Sequence, residues 1–224
     1  MKQPYTWALR GTPFHAAAEW HPNAFSLVGF PIDAAEQPTI AAFFAGAEAH
    51  SPLKIYRMTG GHWSLITNPA SELMKPGASY WVYSEGASDF RGPLTVVYGS
   101  SASGGVVFNE TTTSRQLEIR NVSSFPQSLT LSLQEGTAGV LPVTYAVKLL
   151  DGPNQPIETV VIPFPSPLTL GPLEPGQAFL LELGVAQEAV IAPVTSATLS
   201  ISSTAGLRID VPLISVRVDL LGLP

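Results

Sequence analysis

Strict alternation of apolar and polar side chains along residues 115–134 constrains the fold of this chain more than any other feature. Leu117 and Ile119 alternate with charged residues, and three leucines from Leu129 onward alternate with Ser, Thr and Gln. Because side chains of a strand point to opposite faces in turn, each run buries one face and exposes the other. A polar cluster closed by Pro126 separates the two runs, and we interpret them as antiparallel strands around a turn.

The same pattern recurs through the C-terminal half of the chain. Strand-like composition occupies eight stretches, namely 106–110, 115–122, 127–134, 144–150, 158–162, 177–184, 196–203 and 207–220. Gly and Pro together number 40, charged residues make up only 12% of the chain, and both values favour short strands and tight turns over long helices. Seven or eight short strands at this spacing predict an immunoglobulin-like β-sandwich.

The last of these stretches contains a change of phase. Odd-numbered residues from Leu207 to Leu213 are apolar, whereas from Ile214 onward the even-numbered residues are. Pro212 stands beside this change and cannot donate to a strand ladder. The pattern predicts a strand break within 211–215, at a bulge or at a crossing between sheets.

The N-terminal half predicts a small, mostly β domain with one short helix, so the fold class is all-β. Pro38 suits the first turn of a helix that Gly46 stops, and Gly60-Gly61 is a strong hairpin signal. The predicted elements are a strand at 24–32, a helix at 38–45, a hairpin of 53–58 and 62–67, an aromatic strand within 73–83 and a closing strand at 91–98.

A change of composition predicts the domain boundary. All four Trp and all four His precede residue 82, and a flexible stretch of Gly, Ser and Ala follows at 99–105. We therefore predict an aromatic-rich domain at 1–98, a Gly/Ser linker at 99–105 and the sandwich at 106–224.

Charge and cysteine content exclude several classes of function. The net charge of −6 argues against nucleic-acid partners, which select for clustered Lys and Arg. The chain has no Cys, so disulfides, thiol catalysis and thiolate metal sites are excluded. No apolar run approaches the ~20 residues of a membrane span, so membrane insertion is not expected. The first twenty residues lack the apolar core of a secretion signal.

Aromatic residues supply the candidate ligand site. Trp63, Trp81 and Tyr83, with Tyr80, could form a platform on which a sugar stacks. On a strand, however, Tyr80 points opposite to Trp81 and Tyr83, so only part of the cluster can be exposed. The alternative interpretation is that these large side chains fill the core of a small domain.

Neither a metal site nor a catalytic site is predicted. The four His lack the short spacing of a metal clip, and no cofactor is expected. Motifs of serine hydrolases, phosphate loops and zinc proteases are absent from the sequence. Glu85 and Asp89 could pair for glycoside chemistry, but carboxylates on such a loop are usually only solvated. We expect no enzymatic activity.

The strand edges supply candidate partner sites. A sandwich has open edges to which a partner can add a strand. The run 207–220, with Val216, Val218 and Leu220, and the strand at 106–110 are the candidates. Low charge content leaves neutral surfaces that favour assembly, so other protein chains, including further copies, are the expected partners.

Two stretches resemble known modules. FSLVGFPID (25–33), IYRMTGGHWSLIT (55–67) and LMKPGASYWVY (73–83) resemble an aromatic "P-G-x-x-Y-W-V" module of large bacterial surface and secreted proteins, over about residues 20–96. LGPLEPGQAFLLEL (170–183), after LEIRNVSSFPQSLTLSL (117–133), resembles bacterial Ig-like and hydin-like domains, which act as spacers or docking modules.

These resemblances imply a non-catalytic structural or docking protein of a bacterial surface. They also imply an extracellular or cell-surface location. The alternatives are a carbohydrate-binding module and a cytoplasmic docking subunit of a larger complex.

Overall fold

The computed structural model of the protein describes residues 19–99, 104–136, 139–149 and 158–217. The described residues of the N-terminal half form four strands and one short α-helix, with a single 3₁₀ turn at Glu48–His50. These are β1 (Ala24–Gly29), α1 (Ile40–Phe43), β2 (Ile55–Thr59), β3 (His62–Leu65) and β4 (Ser79–Ser84). The strands form one antiparallel sheet in the order β1-β4-β2-β3.

The short helix α1 begins at a side-chain cap that the sequence provides. The hydroxyl of Thr39 accepts a hydrogen bond from the Ala42 amide, which caps the first turn. Ile40, Phe43 and Phe44 are buried, as the spacing of apolar residues predicted.

The C-terminal half is a sandwich of two five-stranded sheets. Its strands are β5 (Leu94–Tyr98), β6 (Val106–Phe108), β7 (Ser114–Asn121), β8 (Gln127–Glu135), β9 (Val143–Leu149), β10 (Glu158–Pro163), β11 (Leu168–Leu173), β12 (Ala178–Val185), β13 (Val194–Ser203) and β14 (Arg208–Val216). One sheet has the order β10-β9-β12-β7-β5 and the other the order β11-β8-β13-β14-β6.

This strand order is immunoglobulin-like. In sheet order, β5, β7, β12 and β9 occupy the positions of strands A, B, E and D in one sheet, and β8, β13 and β14 those of C, F and G in the other. β10 and β11 extend the two sheets beyond that set, and β6 adds a short parallel strand to β14. The all-β class and the sandwich predicted from alternation are therefore confirmed.

The closing strand predicted at 91–98 belongs to the other half of the molecule. β5 pairs with β7 over five residues, from Leu94 with Asn121 to Tyr98 with Leu117. The prediction that it completes the N-terminal sheet is wrong, because alternation identifies a strand but not its partner. Residues 100–103 of the predicted linker lie outside the described residues, and the division at 99–105 stays a prediction.

The strand break predicted within 211–215 does not occur. β14 pairs with β13 without interruption from Arg208 to Val216. Ser215 takes the buried position that the odd-numbered phase requires, and its hydroxyl donates to Gln187 Oε1 at 3.2 Å. Pro212 is accommodated because β6 pairs with β14 only from Leu213 onward.

The strands β7 and β8 follow each other in sequence but do not pair. β7 pairs with β5 and β12, whereas β8 pairs with β11 and β13. Their buried side chains face each other across the sandwich instead, so the interpretation as paired antiparallel neighbours is corrected. The chain also crosses between the sheets after β10, since β10 lies in one sheet and β11 in the other.

The segment that follows β1 joins the N-terminal half to the sandwich beside the turn between β13 and β14. The Asp33 amide donates to the Gly206 carbonyl at 2.8 Å, and the Arg208 amide donates to the Pro31 carbonyl at 2.8 Å. An isolated bridge joins Ile32 to Leu207. One continuous cluster of buried apolar side chains includes residues of both halves.

Candidate functional site

The alternation of β4 separates the aromatic cluster into two sets. Tyr80 and Val82 are buried, and the Tyr80 hydroxyl accepts a hydrogen bond from the Lys75 amide at 2.8 Å. Trp81 and Tyr83 are half-buried on the opposite face of the sheet. The sequence pattern thus predicted correctly which members of the cluster share a face.

Strand register assembles a continuous apolar surface around Trp81. Leu27 of β1 and Tyr56 of β2 stand on either side of it, and Leu65 of β3 follows Tyr56. The neighbouring sets of cross-strand pairs on the same face contribute the remaining large side chains. We call the whole set the apolar face, and it consists of Phe25, Leu27, Tyr56, Met58, Trp63, Leu65, Trp81 and Tyr83.

The apolar face is open to solvent. Leu27 and Met58 are each 53% exposed, Leu65 is 49% exposed and Trp63 is 39% exposed. Single exposed apolar residues are common on proteins, but a contiguous set on one sheet is characteristic of an interaction surface.

Ring contacts hold these side chains in place. Trp63 meets Trp81 edge to face, with centroids 6.1 Å apart and planes at 74°. Phe25 packs in the same manner on Tyr83, at 5.3 Å. The Lys54 ammonium lies 4.7 Å from the Tyr83 ring centroid, close enough for a cation–π interaction.

A recess of about 640 Å³ opens beside Trp63. It is lined by Leu27, Met58 and Trp63, and by the small residues Ala78 and Ser79. The short side chain of Ser79 leaves this part of the sheet surface uncovered between larger neighbours. Arg57 and Lys75 are also in the lining, which contains no carboxylate.

The hairpin between β2 and β3 fixes the position of Trp63. Gly60 and Gly61 both have positive φ, +60° and +83°, as a two-residue turn of this type requires. The turn sets Met58 opposite Trp63 on the apolar face. The sequence prediction of a Gly-Gly hairpin is confirmed.

The three residues proposed for partner binding are only partly described. Val216 is half-buried at the end of β14 and pairs with Val194. Val218 and Leu220 lie outside the described residues. β6 lies beside β14 only from Leu213 to Ser215, so these three residues are not open to an added strand. The choice of 207–220 for strand addition otherwise stays a prediction.

The acidic loop residues Glu85 and Asp89 line a second cavity of about 640 Å³, together with Glu48 and Arg91. Within the described ranges, no group of three or more His, Cys, Asp or Glu is arranged to hold a metal ion. The prediction that the chain is not an enzyme remains a prediction.

Buried His50 supports the end of the aromatic strand. Its Nδ1 lies 3.0 Å from the Tyr83 carbonyl, and its Nε2 lies 2.9 Å from the Ser88 hydroxyl. A carbonyl only accepts, so Nδ1 carries the proton and donates to it, while neutral Nε2 accepts from Ser88. Desolvation lowers the pKa of His50 below its ordinary value, although the hydrogen bond to the Tyr83 carbonyl opposes this.

Sequence reasoning missed Phe25, Leu27, Tyr56, Met58 and Leu65 as parts of the site. A signal was present in β1, where apolar residues occupy both phases of AFSLVG. A strand of a small domain that is apolar on both faces is either buried on both faces or carries one apolar face that is exposed to solvent.

Comparison with known proteins gives no family assignment. No family model matches the chain, and no curated protein matches it. In the part of the chain that the structure describes, no helix is long and apolar enough to cross a membrane.

Several solved structures resemble part of the chain. A FixG-related protein from Vibrio parahaemolyticus shares 13% identity over 56% of this chain and 94% of its own, with a TM-score of 0.29. The CupB2 chaperone of Pseudomonas aeruginosa shares 14% identity over 56% of this chain and 57% of its own, with a TM-score of 0.35. The E. coli chaperone DraB shares 11% identity over 56% of each chain, with a TM-score of 0.33.

This chain spans little more than half the length of the two chaperone structures. The immunoglobulin-like fold is defined by the chain's own strand order, and the site by its own side chains.

Proposed function

We propose that this chain is a non-catalytic protein that docks onto another protein through the apolar face of its N-terminal sheet. The observation that carries the proposal is the solvent exposure of that face, where Leu27 and Met58 are each 53% exposed. Trp, Tyr, Phe and Met are the residues enriched at the cores of protein interfaces, whereas Lys, Glu and Asp are depleted there. The apolar face has this composition.

Rigidity of the face supports the same role. The edge-to-face contacts of Trp63 with Trp81 and of Phe25 with Tyr83 limit the rotamers of these side chains. Side chains that are ordered before binding lose less entropy when a partner covers them. Trp and Tyr in such positions carry most of the affinity of known interfaces.

The carbohydrate-binding alternative, with Trp63, Trp81 and Tyr83 as ligands, is supported less well by this geometry. Trp63 and Trp81 stand at 74° to each other, so they do not offer one flat platform to a sugar chain. A titration of tryptophan fluorescence with a glycan panel tests this alternative, and saturable quenching that is lost in Trp63→Ala favours it.

The proposed site of action is the bacterial surface or another exported location. The resemblance of residues 20–96 to modules of bacterial surface and secreted proteins supports it. Fractionation of the native source tests the location, and recovery of the protein from the cytoplasm favours the alternative of a cytoplasmic docking subunit.

Site-specific photo-crosslinking in extracts of the native source tests the docking role. A photoreactive amino acid is placed at Met58 in one variant and at Ile191 in another, since Ile191 is 87% exposed on the sandwich and serves as a matched control. We expect a discrete protein adduct from Met58 and none from Ile191. The adduct should disappear when Trp63→Ser is added, because the substitution removes the largest exposed ring of the face.

Two results contradict the docking role. One is an absence of adducts from Met58 at native protein concentration. The other is an equal set of adducts from Met58 and Ile191 that Trp63→Ser leaves unchanged.

A further inference from the structure

We propose that β3 accepts an extended, acidic segment of another protein as an added strand. This inference rests on the docking role proposed above and specifies the chemistry of the partner. Three features of β3 and its surroundings support it: unpaired backbone groups, exposure on both faces, and local positive charge.

The outer edge of β3 carries unpaired hydrogen-bonding groups. The Ile66 amide donates to the Ile55 carbonyl at 2.9 Å, which places Ile66 in a hydrogen-bonded pair. Such pairs alternate along an antiparallel ladder, so Ser64 is bonded to β2 while the amides and carbonyls of Trp63 and Leu65 point away from it. Among the described residues, no strand pairs with this edge.

Unlike the other strands of its sheet, β3 is exposed on both faces. All four of its residues are exposed, whereas β4 buries every second residue. Proteins usually protect edge strands by shortness, by proline or by a bulge. β6 has three residues, and β11 contains Pro172 and a register shift. β3 is also short, with four residues, but it has neither a proline nor a bulge.

A strand added to β3 would extend the apolar face. Its side chains on that face would stand beside Trp63 and Leu65, where cross-strand apolar pairs stabilise a sheet. The backbone groups at the edge therefore select an extended polypeptide, and the side chains at Trp63 and Leu65 select apolar residues at alternate positions.

Charge identifies the rest of the partner. Lys75 lines the recess beside Trp63 and makes no ion pair among the residues described, and Lys54 lies at the other end of the face. Arg57 also borders the recess, but it stands opposite buried Tyr80 and is paired with Glu72, so the two lysines are the cations offered to a partner. A segment with flanking carboxylates complements these cations, while a second copy of the chain would bring two cation-bearing faces together.

Two synthetic peptides test the proposal on the full-length protein. One alternates valine with threonine and has aspartate at both ends, and the other has lysine at both ends. At low ionic strength we expect the affinity of the aspartate peptide to be at least about fivefold higher than that of the lysine peptide, measured by fluorescence anisotropy. Amide hydrogen exchange should slow at Trp63 and Leu65 when the aspartate peptide is bound.

A pair of substitutions separates backbone pairing from side-chain contact. Leu65→Pro and Leu65→Ala both remove the leucine side chain, but only Leu65→Pro removes the outward amide. We expect Leu65→Pro to weaken binding about five- to tenfold more than Leu65→Ala does. If Leu65→Pro does not fold, the unmodified protein is tested instead with an aspartate peptide whose amides are N-methylated along one edge. We expect this peptide not to bind.

Several outcomes overturn strand addition. The aspartate peptide fails to bind at millimolar concentration, or both peptides bind with equal affinity. Alternatively, the amides of Trp63 and Leu65 stay unprotected in the bound state, or Leu65→Pro and Leu65→Ala weaken binding equally. Self-association through β3, detected by sedimentation and abolished in Leu65→Pro, also overturns it by identifying a second copy as the occupant. Crosslinking at Met58 with a foreign protein would still support the docking role in each of these cases.

Discussion

Asn121 secures the crossing between β7 and β8 with a side chain that is fully buried. Its Nδ2 donates to the carbonyls of Phe125 and Leu173 at 2.7 and 2.8 Å. Its Oδ1 accepts from the amide and hydroxyl of Ser123 at 2.9 and 2.7 Å. The Asn121-Val-Ser123 sequence matches a glycosylation sequon, but a buried amide whose hydrogens are both bonded is not accessible in the folded chain.

Replacing Asn121 should therefore be costly. Asn121→Ala removes the amide donor to the Leu173 and Phe125 carbonyls and the acceptor of the Ser123 amide, although the Phe125 carbonyl keeps a bond from the Ser123 hydroxyl. We expect it to lower the free energy of unfolding by about 3 kcal/mol. Asn109→Ala is the matched control, since Asn109 makes similar bonds to Thr111 and Thr112 in a partly exposed turn. Urea denaturation checks both, and equal losses would contradict the role assigned to Asn121.

His50 should make stability depend on pH. Its folded pKa is lowered from 6.5, so the unfolded chain binds the proton more readily. The contribution of neutral His50 is fully present above pH 6.5 and is lost as the pH falls through the lowered folded pKa.

Thermal unfolding between pH 7.5 and 5 measures this dependence. His50→Gln should flatten the curve of unfolding midpoint against pH, because the variant lacks the buried imidazole. A wild-type midpoint that stays constant over this range, or one that rises on acidification, would count against the arrangement described for His50.

At the scale of single elements, alternation predicted most strands within one to three residues. Alternation did not predict which strands pair with each other. The sequence of β5 predicts a strand, but only tertiary packing places it beside β7 rather than in the N-terminal sheet. β11 was missed because Gly171 and Pro172 interrupt its pattern, and an edge strand with a register shift tolerates both.

The aromatic strand β4 shows the same limit for the candidate site. The alternation of β4 predicts which side chains share a face, but it does not predict which of the two faces packs against the core. The structure buries Tyr80 and Val82 and leaves Trp81 and Tyr83 half-buried on the opposite face. Which face meets the core depends on tertiary packing, which the sequence of one strand does not specify.

Neighbouring residues of β1 test this assignment of faces. Val28 is 6% exposed and Leu27 is 53% exposed. We expect Val28→Ala to destabilise by about 2 kcal/mol. Leu27→Ala should cost about 0.5 kcal/mol or less, although it removes more atoms. Chemical denaturation of the two variants checks the order, and a larger loss for Leu27→Ala would show that the faces are reversed.

At the scale of the whole molecule, Gly206 joins the N-terminal sheet to the sandwich. A Cβ at this position would meet the carbonyl oxygen of Glu36 and the ring of Pro38. Its φ of +70° also favours glycine. The Gly206 carbonyl also accepts from the Asp33 amide, so the glycine takes part directly in the contact between the two halves.

Gly206→Ala should weaken this contact far more than backbone strain alone explains. Gly77 is a matched control because its φ is +69° and no atom lies within 4 Å of its added Cβ. We expect Gly77→Ala to cost about 1 kcal/mol and Gly206→Ala about 3 kcal/mol or more. Similar losses in urea denaturation would mean that the two halves do not pack closely at Gly206.

Methionine oxidation tests the central claim, that the N-terminal sheet keeps one apolar face free until a partner covers it. Met58 lies on that face and is 53% exposed, whereas Met74 is fully buried and serves as the internal control. Peptide mass spectrometry after brief peroxide treatment should show rapid oxidation at Met58 and slow oxidation at Met74 in the isolated protein. In the assembled state from the native source, Met58 should become protected. Equal rates at the two methionines in the isolated protein, or continued oxidation of Met58 in the assembly, would contradict the account.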